Sequence, residues 1–205
     1  MALSSVLTLL AAPMALGDTL MVIREGSGTS RDDVRKVQFW SGENRIARID
    51  ANGRMIGDLA AGMLYMVNDQ ARSCHALSTR DPDRDPAALQ AAVQAVKFRN
   101  TGKSERIGNW QAEIHELVAG DDHGYEMVVW IASELAVDPV QRAYMESVVT
   151  PESAAMLAIY NLDGFPVRSE VQMGPIQTWT ELESIEQKAA PTGTYEVPRG
   201  YSGCD

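Results

Sequence analysis

The stretch that decides the fold runs from Gly164 to Tyr201 and contains two alternating segments joined by a turn. The first reads GFPVRSEVQMG from residue 164, and the second reads PIQTWTELESIEQ from residue 175. Apolar side chains recur at spacings of two or four in the first segment: Val167, Val171 and Met173. Such alternation predicts antiparallel strands with one apolar and one polar face. We therefore expect a two-stranded ribbon, turning at Gly174–Pro175, with its polar face in water.

Shorter alternating segments with closely spaced turn signals fill much of the remaining chain. They extend from Asp18 to Leu77 and from Trp110 to Ile131. Asn52–Gly53 is the strongest hairpin signal, because both residue types tolerate positive φ. A further turn is predicted at Asn100–Lys103. Spacing of this kind is typical of an antiparallel meander.

Three segments begin with a capping residue followed by proline, which predicts three helix starts. The pairs are Asp85–Pro86, Asp138–Pro139 and Thr150–Pro151. The order of strands, helix, strands, helices and strands differs from the alternation that builds parallel sheets. The sequence therefore predicts an α+β fold: one curved antiparallel sheet, a half-barrel, with about three helices covering one face.

Length and charge limit the classes of partner. The chain has 205 residues, with 28 acidic and 18 basic side chains and a formal net charge of −10. This charge argues against binding to nucleic acid or to anionic membrane surfaces, because phosphates would be repelled. We expect a single domain over residues 18–205.

The first seventeen residues, MALSSVLTLLAAPMALG, resemble a secretory signal peptide. They contain no charge, and Ala15–Leu16–Gly17 supplies small residues at the positions that signal peptidase reads. The basic residue usual before the apolar run is missing. The apolar part is too short to span a bilayer, so the mature chain is expected to have no transmembrane segment. We expect cleavage before Asp18 and a periplasmic or secreted protein; the alternative is a buried N-terminal element.

The only two cysteines are Cys74 and Cys204. In an oxidising compartment we expect them to form a disulfide that ties the C-terminus to a mid-chain strand. The alternative is a pair of free thiols.

No catalytic motif stands out, and we expect neither an enzyme nor a bound cofactor. Asp121–Asp122–His123 could bind a metal, but its flanking glycines are equally typical of a turn. The three histidines are far apart in sequence. We therefore predict no catalytic residues and no metal site.

Methionine and tryptophan side chains are the best candidates for a ligand cavity. Methionine fills irregular apolar space and lines adaptable binding surfaces. The methionine and tryptophan side chains either pack as core under the helices or line an apolar cavity for a lipid-like ligand. The candidate lining residues are Met63, Met66, Trp110, Met127, Trp130, Met145, Met156 and Met173.

The C-terminal block carries a family resemblance. Asp163–Arg168, Thr180–Ile185 and Tyr195–Tyr201 (TYEVPRGY with its preceding Thr) resemble the end of a family of secreted bacterial proteins. That family is known only as a domain of unknown function, forty-four-twelve. Shorter pieces agree upstream, including Gly62–Val67 and Arg106–Ala112.

The family is similar in outline to the periplasmic lipoprotein-carrier half-barrel. The resemblance implies an exported protein that shelters something hydrophobic, and it implies no catalytic residues. Pro86–Lys97 and Cys204 depart from the family pattern, and a helix at Pro86–Lys97 could fill the cavity. Two hypotheses follow: a periplasmic protein that binds a lipid or apolar ligand between sheet and helices, or an envelope interaction protein with a filled core and no ligand.

Overall fold

A computed structural model describes residues 17–28, 34–80, 82–118 and 124–204. The predicted signal peptide, apart from Gly17, lies outside the described residues. The predicted hairpin loop around Asp121–Asp122–His123 lies outside them too.

The described residues form eleven strands, and all of them except β7 coincide with predicted alternating segments. Their bounds are β1 Thr19–Ser27, β2 Arg35–Gly42, β3 Arg45–Asp50, β4 Gly53–Asp58, β5 Met63–Asn68, β6 Ser73–Ser78, β7 Phe98–Ile107, β8 Trp110–Leu117, β9 Tyr125–Ala132, β10 Phe165–Met173 and β11 Ile176–Gln187.

All eleven strands belong to one open antiparallel sheet. The strand order is β6-β5-β4-β3-β2-β1-β11-β10-β9-β8-β7. The chain winds outward from β1 to β6, crosses to the opposite edge at β7, and winds back until β11 pairs with β1. The predicted ribbon, β10 and β11, therefore lies at the centre of the sheet. The α+β class and the antiparallel sheet are confirmed.

Three α-helices are present in the part of the chain that the structure describes: α1 Pro86–Ala95, α2 Pro139–Val148 and α3 Ala155–Ala158. The first two begin where predicted. The Asp85 carboxylate accepts from the amide of Ala87, and that of Asp138 accepts from the amides of Val140 and Gln141. The third predicted helix is broken, with 3₁₀ turns at Pro151–Ser153 and Ile159–Asn161 on either side of α3.

The predicted turn at Asn100–Lys103 is wrong, because these residues lie inside β7. The register of β7 with β8 shifts between Asn100 and Ser104, and Gly102 has φ 73°. A bulge of this kind has the residue types of a turn although the strand continues.

The helices cover one face of the sheet, which we call the inner face. The helical side chains Leu89, Val93 and Leu157 share one buried cluster with strand residues such as Met21 and Val129. Helix α2 is fastened directly to the sheet, since Ser41 on β2 donates to Asp138 at 2.7 Å. The middle of the inner face is thus a packed core.

The C-terminal segment, residues 188–204, packs on the opposite face, which we call the outer face. Ala190 and Tyr195 contact a buried cluster that contains Leu20 and Trp40. Further along, Val197 and Tyr201 pack against Ile56, Val67 and Cys74, a second outer-face cluster. The segment ends beside β6, where Ser202 forms a parallel bridge with Ser73.

The polar face of the β10–β11 ribbon is not simply exposed to water, as alternation predicts. Only 12% of the Arg168 side chain is exposed, and its Nη2 lies 2.6 Å from Glu181. Its Nη1 lies 3.1 Å from Glu105, which also accepts from the Trp130 indole at 2.9 Å. Arg168 is thus partly buried by its two acidic partners, Glu181 within the ribbon and Glu105 on β7.

Candidate ligand-binding cleft

An open cleft of about 560 Å³ lies where the helices end and the β5–β6 side of the inner face continues beyond them. One wall is the sheet, with Leu64 on β5 and Leu77 on β6. The other wall is formed by Ala88 of α1, Val148 of α2 and the 3₁₀ turn beginning at Pro151. The volume is in the range of small-molecule sites in proteins.

Cross-strand pairing produces the apolar sheet wall. Leu64 and Leu77 are register partners on adjacent antiparallel strands, so their side chains project from the same face. Leu77 keeps 42% of its surface exposed. A large aliphatic side chain exposed beside a cleft is the kind of surface that an apolar ligand would cover.

Arg84 holds the helical wall in place. Its guanidinium donates to the backbone carbonyls of Glu146, Ser147 and Val149, at the C-terminal end of α2. These carbonyls lack partners within the helix, and a cation there is favoured by the helix dipole. Arg84 is therefore a structural clamp between the α1 entry and α2.

The rim of the cleft carries acidic side chains. Asp83, Asp85 and Glu152 all line it. Hydrogen bonding to Thr150 and to its own backbone amide lowers the pKa of the exposed Glu152 carboxyl below its ordinary value. The rim thus carries three carboxyl groups beside one guanidinium, that of Arg84.

The predicted methionine and tryptophan set is not gathered at this cleft. Trp110, Met127 and Trp130 are buried in the main cluster, and Met145 packs against it. Met63 is half-buried at the start of β5. The remaining three, Met66, Met156 and Met173, are exposed. Sequence reasoning missed Leu64, Leu77 and Val148, because ordinary aliphatic residues carry no signal until their neighbours are known.

The predicted disulfide is confirmed. Cys74 on β6 is bonded to Cys204, with Cα atoms 5.1 Å apart. The tail is held by further contacts, because the Tyr201 hydroxyl donates to Asp69 at 2.9 Å. That hydrogen bond raises the pKa of Tyr201 above its ordinary value. The bridge and this hydrogen bond fix the C-terminal segment against the outer face.

The inner core contains buried polar groups beneath α2. The Gln141 amide donates to the Tyr160 hydroxyl at 3.1 Å. Burial, together with the neighbouring Tyr144, raises the pKa of Tyr160 to about 12. These groups position helices and line no described cleft, so we assign them no chemistry.

The described residues lack two features: a cluster of His, Cys or carboxylate metal ligands and a membrane-crossing helix. No group of three or more His, Cys, Asp or Glu side chains is placed to hold a metal ion there. His75 and His115 lie on β6 and β8, near opposite edges of the sheet. No described helix has the length and apolar character needed to cross a membrane.

The sequence matches the model of one protein family over residues 44–201, from the β2–β3 turn to the C-terminal segment. The family is described as a domain of unknown function, DUF4412. The chain belongs to this family. The DUF4412 region includes both walls of the cleft and the C-terminal block that carries the resemblance in the sequence. No curated protein sequence matches the chain.

Several solved structures are similar in outline at low identity. The MucA/MucB complex of Pseudomonas aeruginosa gives a TM-score of 0.48 at 14% identity, over 91% of this chain and 56% of that one. PNGF-II gives 0.45 at 6% identity, over 90% and 30%. The Mycobacterium tuberculosis lipoprotein LppX gives 0.30 at 9%, over 82% and 85%. All three scores are below 0.5, and the chain spans little more than half of MucB and under a third of PNGF-II.

Proposed function

We propose that this DUF4412 protein is an exported binding protein that holds an acyl chain, or a similarly apolar ligand, in the cleft between β5–β6 and the helices. The observation that carries the proposal is the pair Leu64 and Leu77, which forms an apolar wall left uncovered beside about 560 Å³ of open space. Enclosing such a wall removes apolar surface from water. This stabilises the complex by about 25 cal/mol for each Å² of apolar surface buried.

A half-barrel shape of the sheet is part of this proposal. Eleven strands about 4.8 Å apart would place β6 and β7 about 48 Å from each other in a flat sheet. The nineteen residues between Ser78 and Phe98 include ten in α1. Such a connection, with about ten helical and ten extended steps, reaches about 50 Å at most. Because β6 and β7 run in the same direction, it must also run back along a strand, about 20 Å for β6. The two ends would then be about 52 Å apart in a flat sheet, which is beyond this reach.

Export rests on the predicted signal peptide and is supported by the disulfide, since structural disulfides are typical of oxidising compartments. We propose that cleavage leaves residues 18–205 as one domain in the periplasm or outside the cell. N-terminal sequencing of the secreted protein tests this directly. A mature chain that still begins at Met1 would refute it.

A second function is favoured by the packing of the inner face. Leu89, Val93 and Leu157 fill its middle. This arrangement supports an envelope interaction protein that binds no ligand and uses its surface to contact a partner.

Native mass spectrometry of protein purified from the periplasm separates the two functions. If the cleft holds an acyl chain, the untreated protein carries an extra lipid mass that organic extraction removes. Leu77→Glu should abolish that mass, whereas Ile176→Glu, at an exposed apolar position outside the cleft, should retain it. Identical masses before and after extraction would contradict the binding function and favour the filled-core alternative.

A further inference from the structure

A row of soft metal ligands crosses three neighbouring strands beside the cleft. Met55 on β4 is the register partner of Met66 on β5, and Met66 is the register partner of His75 on β6. Register partners on adjacent antiparallel strands project from the same face of the sheet. Two thioethers and one imidazole therefore stand side by side on one face.

Contacts with α2 show which face this is. The Tyr144 hydroxyl on α2 donates to Met55 Sδ at 3.4 Å, and the Tyr144 ring lies 6.2 Å from the Phe39 ring. Both contacts place Met55 on the inner face. Met66 and His75 follow it outward along the row, beyond the helices.

The spacing allows the three side chains to meet at one point. Adjacent strands are about 4.8 Å apart, so Met55 and His75 start about 10 Å from each other with Met66 midway. Methionine has three rotatable side-chain bonds and adapts its reach readily. The sulfur of Met55 and a ring nitrogen of His75 can thus converge above Met66.

The central ligand is open to solvent. Met66 keeps 47% of its surface exposed, and His75 is also exposed. Met55 and Met66 together line a depression of about 260 Å³ on this side of the sheet. An ion can therefore reach the sulfur atoms without displacing a helix.

The neighbouring charges do not oppose a cation. Two guanidinium groups, those of Arg48 and Arg54, line the same depression. Arg48 lies 2.8 Å from Asp50 and 2.6 Å from Glu25, which it shares with Arg35. Arg54 lies 3.0 Å from Asp69, so both groups have carboxylate partners. Despite partial burial, hydrogen bonds from the Asn52 backbone and Arg48 lower the pKa of Asp50 and keep it ionised at neutral pH.

We propose that Met55, Met66 and His75 form a binding site for Cu(I). Thioethers are soft, uncharged ligands that select Cu(I) over the hard cations, and imidazole also suits copper. Neither cysteine offers a thiolate, the other soft ligand for Cu(I), because Cys74 and Cys204 are joined in the disulfide. The site is separate from the acyl cleft and does not rest on it.

A competition titration tests the site on delipidated, disulfide-intact protein. Cu(I) is generated with ascorbate, which supplies the electron for Cu(II) reduction, and is offered as its coloured bicinchoninate complex. The wild type should remove one equivalent of copper and discharge the colour. Met66→Leu and His75→Gln should each weaken Cu(I) binding by on the order of 10–100-fold or more. Replacing a residue that only hydrogen-bonds to a metal ligand already lowers metal affinity by that factor.

Met173→Leu is the matched control, because Met173 is a strand methionine with 48% of its surface exposed and lies far from the row. It should bind like the wild type. X-ray absorption of the copper-loaded protein should show both sulfur and nitrogen neighbours. The site is refuted if the wild type takes no copper from bicinchoninate, or if Met66→Leu and Met173→Leu bind equally.

Discussion

The hydroxyl of Ser41 on β2 donates to the Asp138 carboxylate that caps α2, over 2.7 Å. The same carboxylate accepts from the Val140 amide at 2.8 Å. One side chain therefore both starts the helix and attaches it to the buried Ser41 of the inner face.

Replacing the Asp138 cap should lower the free energy of unfolding more than the loss of an ordinary helix cap does. Asp138→Ala removes the helix cap and leaves the buried Ser41 hydroxyl without its acceptor. We expect a loss of about 2–4 kcal/mol in the free energy of unfolding, measured by urea denaturation. Asp85→Ala, the exposed cap of α1, should cost about 1 kcal/mol. Equal losses at the two positions would show that the contact with Ser41 contributes nothing.

Arg168 should be much more important for stability than an exposed basic residue. Its partner Glu181 is only 13% exposed, so Arg168→Ala removes the close cation at 2.6 Å and leaves Arg24 at 3.7 Å. We expect a loss of about 3 kcal/mol, the lower end of the cost of breaking a buried pair. The control is Lys36→Ala, which breaks a pair with Glu183 in which Lys36 is 60% exposed and should cost under about 1 kcal/mol. Thermal or urea unfolding measures both, and a cost below about 1 kcal/mol at Arg168 would contradict the buried pairing.

The disulfide should stabilise the folded state strongly. It closes a loop with a sequence separation of 130. The chain-entropy model then gives about 5 kcal/mol, and we expect the Cys74→Ser, Cys204→Ser double variant to lose a large part of it. Urea denaturation of the two proteins measures the difference. If the double variant is as stable as the wild type, contacts such as Tyr201 with Asp69 hold the tail without the bridge.

The pH dependence of stability should report on Tyr160. Its pKa is raised from 10.0 to about 12, mainly by burial. The neutral Tyr160 hydroxyl therefore makes its full contribution to the free energy of unfolding below pH 10. This contribution is lost as the pH rises through about 12. A rise of this size in the pKa corresponds to about 3 kcal/mol in the free energy of unfolding.

Absorbance titration of tyrosinate checks this assignment. The absorbance change near pH 12 should be smaller by one tyrosine in Tyr160→Phe than in the wild type. Tyr65→Phe, which alters a half-buried tyrosine on β5, should leave the change near pH 12 unaltered. An unaltered change in Tyr160→Phe would contradict the assignment.

Local features of the chain were predicted well. The helix starts at Asp85–Pro86 and Asp138–Pro139 are confirmed, because capping involves residues within one turn. The β3–β4 hairpin forms within one residue of the predicted position: Asp50 pairs with Gly53, so the two turn residues are Ala51 and Asn52. The family resemblance of the C-terminal block is also confirmed.

The candidate site was not predictable in the same way. Leu64 and Val148 line one cleft although 84 positions separate them in the chain. Nothing about either residue type distinguishes it from core. These residues are candidates because they border the open cleft. Whether a residue borders the cleft depends on where the helices end above the sheet.

The sequence alone determined ten of the eleven described strands, the first two helix starts and the family, because alternation, capping and short motifs act between near neighbours. Only the tertiary structure decided that β11 pairs with β1 and that the ribbon from Phe165 to Gln187 is central. It also decided that Met55, Met66 and His75 share one row. These arrangements depend on register between strands, and register is set by packing of the whole sheet against its helices.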